Sequence, residues 1–325
     1  MSLHERSSRP GPAVQRTATS GGTVPGLTAA PAFTLTVPPR LRLPVLVAVP
    51  HAGRAYPPAV TARMRDAELA QLRLEDRHAD RLGVAIARET GAALLLAHAP
   101  RALLDLNRAE DDIDWDMIEG GRPADMPPPE PGQRSNARAR SGLGLVPRRL
   151  PGSGEIWRGR LAPAELAARI DGIHRAYHAA LEGALARICA DWGAALLVDL
   201  HSMPPLRAGE GEQRAPVVVL GDRFGASCHN ALVARGLGHL EARGVPVALN
   251  RPYSGGYVLD RHGAPREGVH AVQIEVCRGT YLDRHLAEPG AGLPAVAAML
   301  ADLVRELGAE AALLGGAEGL PQAAE

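Results

Sequence analysis

The sequence predicts an α/β fold with a mixed, largely parallel β-sheet, and two patterns point to it. Five short apolar runs recur along the 325 residues. Each is continuously apolar rather than alternating, as in strands that are covered on both faces. Between them lie longer stretches with apolar residues every three or four positions, which is the spacing of amphipathic helices. Strands that alternate with helices in this way form a sheet with helices packed against it.

The individual elements follow from the same patterns. The five predicted strands are 43–50, 91–99, 194–200, 215–222 and 269–276. The clearest helix extends from Pro163, which suits a first helical turn, to about Asp191. Two further helices are predicted over residues 226–243 and 293–307.

Composition along the chain predicts one domain with flanking segments. Residues 1–40 are rich in Ser, Thr, Gly, Pro and Arg, so we expect a mostly flexible N-terminal tail in which only residues 33–37 look ordered. A single domain over 41–310 follows, with a C-terminal tail over 311–325. It is interrupted by a proline-rich insertion over 119–160, which is either a functional lid or disordered.

The charged residues exclude several classes of function. All 36 basic residues are arginine, balanced by 36 acidic residues. The absence of lysine excludes Schiff-base chemistry and a P-loop lysine. Zero net charge argues against a nucleic acid or an anionic membrane as partner. We expect a cytoplasmic protein, because its three cysteines are scattered and the sequence has no visible signal peptide and no long apolar span. The sequence leaves the oligomeric state open.

Polar side chains stand where the predicted strands end, and ligands of α/β sheets bind at that edge. His51 follows the first strand, His201 follows the third, and Glu275 lies near the end of the last. The second strand leads into Asn107 and Arg108. Two histidines with an acidic residue can form a catalytic zinc site, in which three protein ligands leave one position for water.

The third zinc ligand should be another His, Asp or Glu. The segment 73–82 offers Glu75, Asp76, His78 and Asp80. A charged helix start that faces solvent is the alternative interpretation of this segment.

Taken in order, the motifs of this chain resemble the N-formylglutamate amidohydrolase family. They are VPHAGRAYP, LEDRHADRL, LLDLNR, VDLHSMP, NRPYSGGYVLDRHG and GVHAVQIEVCRGTYLD, and they cover most of residues 43–285. The resemblance implies a three-layer α/β/α fold of the phosphorylase/hydrolase-like type found in zinc exopeptidases. It also implies hydrolysis of the amide of an N-acyl amino acid.

The resemblance further implies which residues bind the metal. Related zinc exopeptidases carry a Glu three residues after the first His, and Arg54 stands at that position here. The zinc ligands implied by the family pattern are therefore His51, Asp76 and His201, with Glu75 as the competitor of Asp76.

It implies catalytic and substrate-binding roles as well. Glu275 would take a proton from the attacking water and pass it to the leaving amine. In the absence of lysine, arginine must bind the substrate carboxylates. Arg108 is the first candidate, together with Asn107, and Arg261 and Arg278 are further candidates.

Two alternatives use the same sequence features. Another zinc exopeptidase or deacylase, acting on peptides or cell-wall fragments, would carry the same residues. A non-catalytic family member is the other alternative, against which the intact set of candidate residues argues.

Overall fold

The computed structural model of the protein describes residues 16–124, 137–150, 152–208 and 214–316. The strands are β1 (Thr17–Gly21), β2 (Phe33–Val37), β3 (Val45–Val49), β4 (Ala93–Ala97), β5 (Arg149–Leu150), β6 (Gly154–Glu155), β7 (Ala195–Met203), β8 (Val218–Gly221), β9 (Val247–Leu249) and β10 (Val269–Cys277). The α-helices are α1 (Pro58–Thr61), α2 (Ala67–Leu74), α3 (Ala79–Thr90), α4 (Ala137–Arg140), α5 (Pro163–Arg169), α6 (Ala176–Trp192), α7 (Asn230–Ala242), α8 (Tyr257–His262) and α9 (Leu293–Leu314).

Eight strands form one mixed sheet in the order β1-β2-β4-β3-β7-β10-β8-β9. Its centre, from β4 through β3 and β7 to β10, is parallel. Antiparallel pairing joins β2 to β4, β1 to β2 and β8 to β10, while β9 runs parallel to β8. The predicted sheet is confirmed, and the four parallel strands bring their carboxyl ends to one edge.

Helices cover both faces of the sheet, which confirms the predicted three-layer fold. In β3, Val45, Val47 and Val49 point into a core shared with α3, α7 and α9. Leu46 and Ala48 point to the opposite core, which contains α5 and α6. All five side chains are fully buried. Continuous apolarity therefore results from a strand that is covered on both faces.

The predicted helices are present with adjusted ends. The helix predicted from Pro163 to about Asp191 consists of α5, a π-helical turn over Ile170–Arg175, and α6. It ends at Gly193, which adopts φ 73°. The helix predicted over 226–243 begins at Asn230, and the last one extends to Leu314. Within the described ranges, no helix has both the length and the apolarity to cross a membrane.

Residues 33–37, which look ordered in the sequence, form β2, but outside them the predicted flexible tail over residues 1–40 is wrong where the structure describes strand β1. Strands β1 and β2 form one edge of the sheet. Phe33 is only 4% exposed and packs edge-to-face against Tyr177, with ring centroids 5.9 Å apart. The polar Thr and Ser residues of these strands resemble coil in composition, because an edge strand need not be apolar on both faces. Residues 1–15 lie outside the described residues.

The other two segments that we set apart from the domain core also carry regular structure. The predicted C-terminal tail over 311–325 begins inside α9, and residues 317–325 lie outside the described residues. In the predicted insertion over 119–160, the described part contains α4 and the hairpin of β5 with β6. Its residues 125–136 and 151 are not among those described.

The packing of β2 can be tested by substitution. Phe33→Ala should lower the free energy of unfolding by about 3–5 kcal/mol, because it removes a buried aromatic side chain. Chemical denaturation measures this change. Arg40→Ala, at an exposed position just after β2, is the control and should change stability by less than about 0.5 kcal/mol. Equal, small effects of both substitutions would show that β2 is not part of the packed fold.

Candidate active site

The carboxyl edge of the parallel strands carries three of the predicted site residues. His51 lies two residues after β3, and His201 lies within β7. Glu275 of β10 is the register partner of His201, so the two residues are direct neighbours across the sheet. All three side chains are buried. The strand ends therefore bring these three side chains to the same edge of the sheet.

Asp76 completes a group that can hold a metal ion. It follows α2, and its backbone N–H donates to the carbonyl of His51 at 2.9 Å, which fixes the loop against the end of β3. Asp76 Oδ2 lies 3.1 Å from His201 Nδ1 and 3.6 Å from His51 Nδ1. One ligand atom from each of these three residues lies within 4.8 Å of the others.

Carboxylates hold the outer nitrogens of both imidazoles. His51 Nε2 is 2.7 Å from Asp105 Oδ1, and His201 Nε2 is 2.8 Å from Asp199 Oδ2. Each Nε2 therefore donates a proton to a carboxylate, and each Nδ1 faces Asp76. Carboxylates that orient the imidazole ligands of a metal in this way are usual in metal sites.

An unpartnered nitrogen shows that the group fits a metal ion. His51 Nδ1 is buried and has no hydrogen-bond partner among the described residues. With Nε2 donating to Asp105, this nitrogen carries a free lone pair directed towards Asp76. Two imidazole nitrogens and one carboxylate oxygen are a donor set that zinc accepts.

The electrostatic environment also favours a cation between these residues. Burial raises the pKa of Asp76, but His201 and His51 outweigh this effect and hold the pKa well below its ordinary value. Burial lowers the pKa of His201, but Asp199 and Asp76 outweigh it and raise the pKa well above the ordinary value. Carboxylates that stabilise a protonated imidazole here also stabilise a metal cation.

Glu75, the competitor of Asp76, points elsewhere. Its carboxylate lies 3.4 Å from Arg77 Nη1 and near the Tyr56 side chain. Burial raises the pKa of Glu75. Of the two adjacent acids, Asp76 is the one that faces both imidazoles.

Glu275 is fixed by a chain of amide hydrogen bonds. Gln273 Nε2 donates to Glu275 Oε1 at 2.9 Å, and Asn107 Nδ2 donates to Gln273 Oε1 at 3.2 Å. Burial raises the pKa of Glu275 to about 7. A carboxyl group with such a pKa can both accept and donate a proton near neutral pH.

Two buried histidines hold the backbone on either side of Asn107. His178 Nε2 lies 3.1 Å from the Leu106 carbonyl, and His174 Nε2 lies 2.9 Å from the Arg108 carbonyl. Both imidazoles donate to these carbonyls, because a carbonyl oxygen only accepts. The predicted Asn-Arg pair is therefore supported from α6 and the π-helical turn that precedes it.

A cavity of about 280 Å³ adjoins the buried centre. Its lining includes His51, Asp76, His201 and Glu275, together with both residues of the Asn-Arg pair. Its arginines are Arg73, Arg101, Arg108, Arg138, Arg223 and Arg278. The cavity therefore combines a group that can hold a metal ion, a carboxyl group and several arginine side chains.

The predicted arginines differ in their placement. Arg108 lines the cavity and is held by the carbonyls of Leu143 and Asn107, at 2.9 and 2.7 Å. Arg278 also lines it, and its Nη2 donates to Asp76 Oδ1 at 3.1 Å, so it supports the candidate metal ligand directly. Arg261 does not line the cavity.

Arg261 lies instead on the outer side of α8. Its Nη1 donates to the Tyr257 hydroxyl at 2.9 Å, and its Nη2 lies 3.6 Å from Glu182. The prediction that Arg261 binds substrate therefore does not agree with the structure. The loop that carries it does reach the site, but helix α8 turns this side chain away from the cavity.

Sequence reasoning missed two residues next to the predicted ones. Asp105 holds His51 by a hydrogen bond. It stands two residues before Asn107 in the LLDLNR motif, and this closeness to a predicted site residue could have identified it. Arg101 donates to Asp105 Oδ2 at 2.9 Å and lines the cavity. Nothing in the sequence separates Arg101 from the other arginines.

Comparison with known proteins identifies the family. The model of the N-formylglutamate amidohydrolase family matches residues 43–282. N-formylglutamate deformylase of Pseudomonas aeruginosa is 33% identical over 251 residues, which cover 75% of this chain and 84% of that protein. The Pseudomonas putida protein of the same name is 31% identical over 245 residues, which cover 74% of this chain and 83% of that protein.

A solved structure agrees with these relatives. The crystal structure of N-formylglutamate amidohydrolase from Ralstonia eutropha JMP134 superposes with a TM-score of 0.74 at 31% identity. The match covers 86% of this chain and 98% of that chain. With its buried His-Asp-His group and adjacent glutamate, this chain is an amidohydrolase and belongs to the N-formylglutamate amidohydrolase family.

Proposed function

We propose that this enzyme is a zinc-dependent amidohydrolase that removes the acyl group from N-formylglutamate or a closely related N-acyl amino acid. The observation that carries the proposal is the group of His51, Asp76 and His201 beside Glu275 in an arginine-lined cavity. The relatives named N-formylglutamate deformylase support the choice of substrate.

The metal would be held by His51, Asp76 and His201, while Asp105 and Asp199 keep the imidazoles in place. A bound zinc ion supplies Lewis acidity and activates water for attack on the amide carbonyl near neutral pH. Arg278 shares Asp76 Oδ1 and leaves Oδ2 directed towards the two imidazoles.

Glu275 performs the proton transfer. It accepts a proton from the attacking water and delivers it to the nitrogen of the leaving amino acid. Its pKa of about 7, raised by burial, suits both steps. The hydrogen bond from Gln273 keeps Oε1 in a fixed direction, so the other carboxyl oxygen is available for the proton.

The substrate carboxylate is bound by arginine. Arg108 has one guanidinium edge occupied by backbone carbonyls and presents the remainder to the cavity. A planar guanidinium binds a carboxylate through two parallel hydrogen bonds and thereby orients it. Asn107 is held beside it and completes the binding pair.

We also infer a cytoplasmic location. Cys189, Cys228 and Cys277 are all free thiols. Unpaired cysteines are usual in a reducing compartment.

Metal removal and a panel of substrates test the function as a whole. The purified enzyme should contain about one zinc per chain by elemental analysis, lose turnover of N-formylglutamate with a chelator, and regain it with zinc. N-acetylglutamate, N-succinylglutamate and dipeptides should be hydrolysed more slowly. Faster turnover of a dipeptide would indicate a peptidase, and no turnover of any amide by the zinc-loaded protein would indicate a non-catalytic protein.

The two adjacent acids separate the ligand assignment from general destabilisation. Asp76→Asn should lose most of the bound zinc and the activity, because it removes the anionic ligand. Glu75→Gln is the matched control and should retain zinc, since Glu75 faces Tyr56 and Arg77. Elemental analysis of the two variants measures this difference. A zinc loss confined to Glu75→Gln would contradict the assignment.

Glu275→Gln isolates the proton transfer from metal binding. We expect this variant to keep its zinc and to lose about 10²–10⁴-fold in kcat, the usual size of general acid–base catalysis. Steady-state kinetics with N-formylglutamate, at matched zinc content, measures the loss. Undiminished kcat would remove Glu275 from this role.

A further inference from the structure

Part of the insertion docks directly onto the loop that carries the Asn-Arg pair. We call residues 137–145 the docking segment. The Ala139 N–H donates to the Asp112 carboxylate at 3.2 Å. The Leu145 N–H donates to the Asp112 backbone carbonyl at 2.6 Å. The Leu143 carbonyl accepts from Arg108 Nε at 2.9 Å. The docking segment is thus part of the wall of the cavity.

A glycine permits this close approach. A Cβ atom added to Gly144 would lie 2.4 Å from the Asp112 carbonyl oxygen and 3.0 Å from the Cα of Ala139. Any larger residue would push the docking segment away from the loop. The position of the segment over the cavity is therefore defined by close backbone packing rather than by side-chain contacts alone.

The docking segment contributes Arg138 to the cavity. Arg138 lies on α4, is exposed, and lines the same cavity as Arg108. Burial lowers the pKa of Arg108, Asp105 opposes this, and the positive charges of Arg101 and Arg138 lower it further. Arg108 is thus repelled by two neighbouring guanidinium groups at this end of the cavity, and this excess of positive charge favours a bound anion.

Most of the other cavity arginines are already paired with carboxylates. Arg101 is paired with Asp105 at 2.9 Å, and Arg278 with Asp76 at 3.1 Å. Arg223 donates to both carboxylate oxygens of Asp260 on α8. Arg138 makes no ion pair within the part of the chain that the structure describes. It is therefore available to a ligand that carries negative charge.

We propose that Arg138 is the specificity residue that binds the side-chain carboxylate of a dicarboxylic N-acyl amino acid. Arg108 binds the α-carboxylate of the same molecule, and the two neighbouring guanidinium groups match two carboxylates joined by a short aliphatic chain. This inference rests on the proposed function, since it names the class of substrate for that site. It also gives the insertion a role in substrate selection.

A pair of substrates tests the proposal. N-formylglutamate and N-formylglutamine have nearly the same shape, and only the first carries the second carboxylate. Arg138→Gln should lower kcat/KM for N-formylglutamate by about 10–100-fold, mainly through KM, as for loss of a charge-assisted hydrogen bond. For N-formylglutamine the change should stay within about 3-fold, because loss of the guanidinium matters only where the substrate carries a second carboxylate.

Two matched variants complete the design. Arg140→Gln removes an exposed arginine of the same helix that does not line the cavity, and it should leave both substrates unaffected. Arg73→Gln removes the other exposed cavity arginine, on α2, and should not lose the preference for glutamate. A selective loss in Arg73→Gln instead of Arg138→Gln would overturn the proposal.

The remaining outcomes separate this inference from the proposed function. If the wild-type enzyme hydrolyses N-formylglutamate but Arg138→Gln keeps the preference for it, or loses both substrates equally, the inference alone is wrong. If the zinc-loaded wild-type enzyme hydrolyses neither compound, the proposed function is wrong and the inference falls with it.

Discussion

Charged and imidazole groups at the carboxyl edge of the sheet are buried, and a buried charge is unstable unless it is paired. Asp76 meets this requirement for the whole centre. Its Oδ1 accepts from Ser202 and Arg278, and its Oδ2 faces both imidazoles. Asp105 and Asp199 hold the outer nitrogens of the same rings. Because these contacts hold the Asp76 carboxylate and both imidazoles, the geometry of the centre is set before any ion or substrate binds.

The same requirement links the centre to the substrate-binding side of the cavity. Glu275 is held by Gln273, which in turn accepts from Asn107. The backbone N–H of Asn107 donates to Asp105 Oδ1 at 2.8 Å, and that oxygen also holds His51. One continuous network therefore contains the proposed proton-transfer group Glu275, the amide of Asn107 and a candidate metal ligand. Substitutions within such a network have effects that are not additive.

The parts of the site that follow from strand ends could be predicted from sequence. Continuous apolar runs locate the buried strands, and the first polar residues after them must lie at the ligand-binding edge. This reasoning placed His51, His201 and Glu275 together. Arg261 could not be placed in this way, because proximity in sequence to a site loop does not specify which side of a short helix faces the cavity. The sequence also had no signal for Arg138, which reaches the cavity only through tertiary docking of the insertion.

The outer strand β1 escaped prediction for a related reason, since it is held by pairing with β2, which in turn pairs with β4, rather than by its own composition. The chemistry of this enzyme thus resides on the rigid sheet, whereas its arginines are carried mostly by loops and short helices. Loops can change without disturbing a packed core, so the preferred substrate can diverge while the centre is kept. In this protein the insertion and the site are coupled, because the Leu143 carbonyl of the insertion accepts a hydrogen bond from Arg108 Nε. A change in the insertion would therefore alter the position of Arg108, the arginine proposed to orient the substrate, and would couple selection to catalysis through this contact.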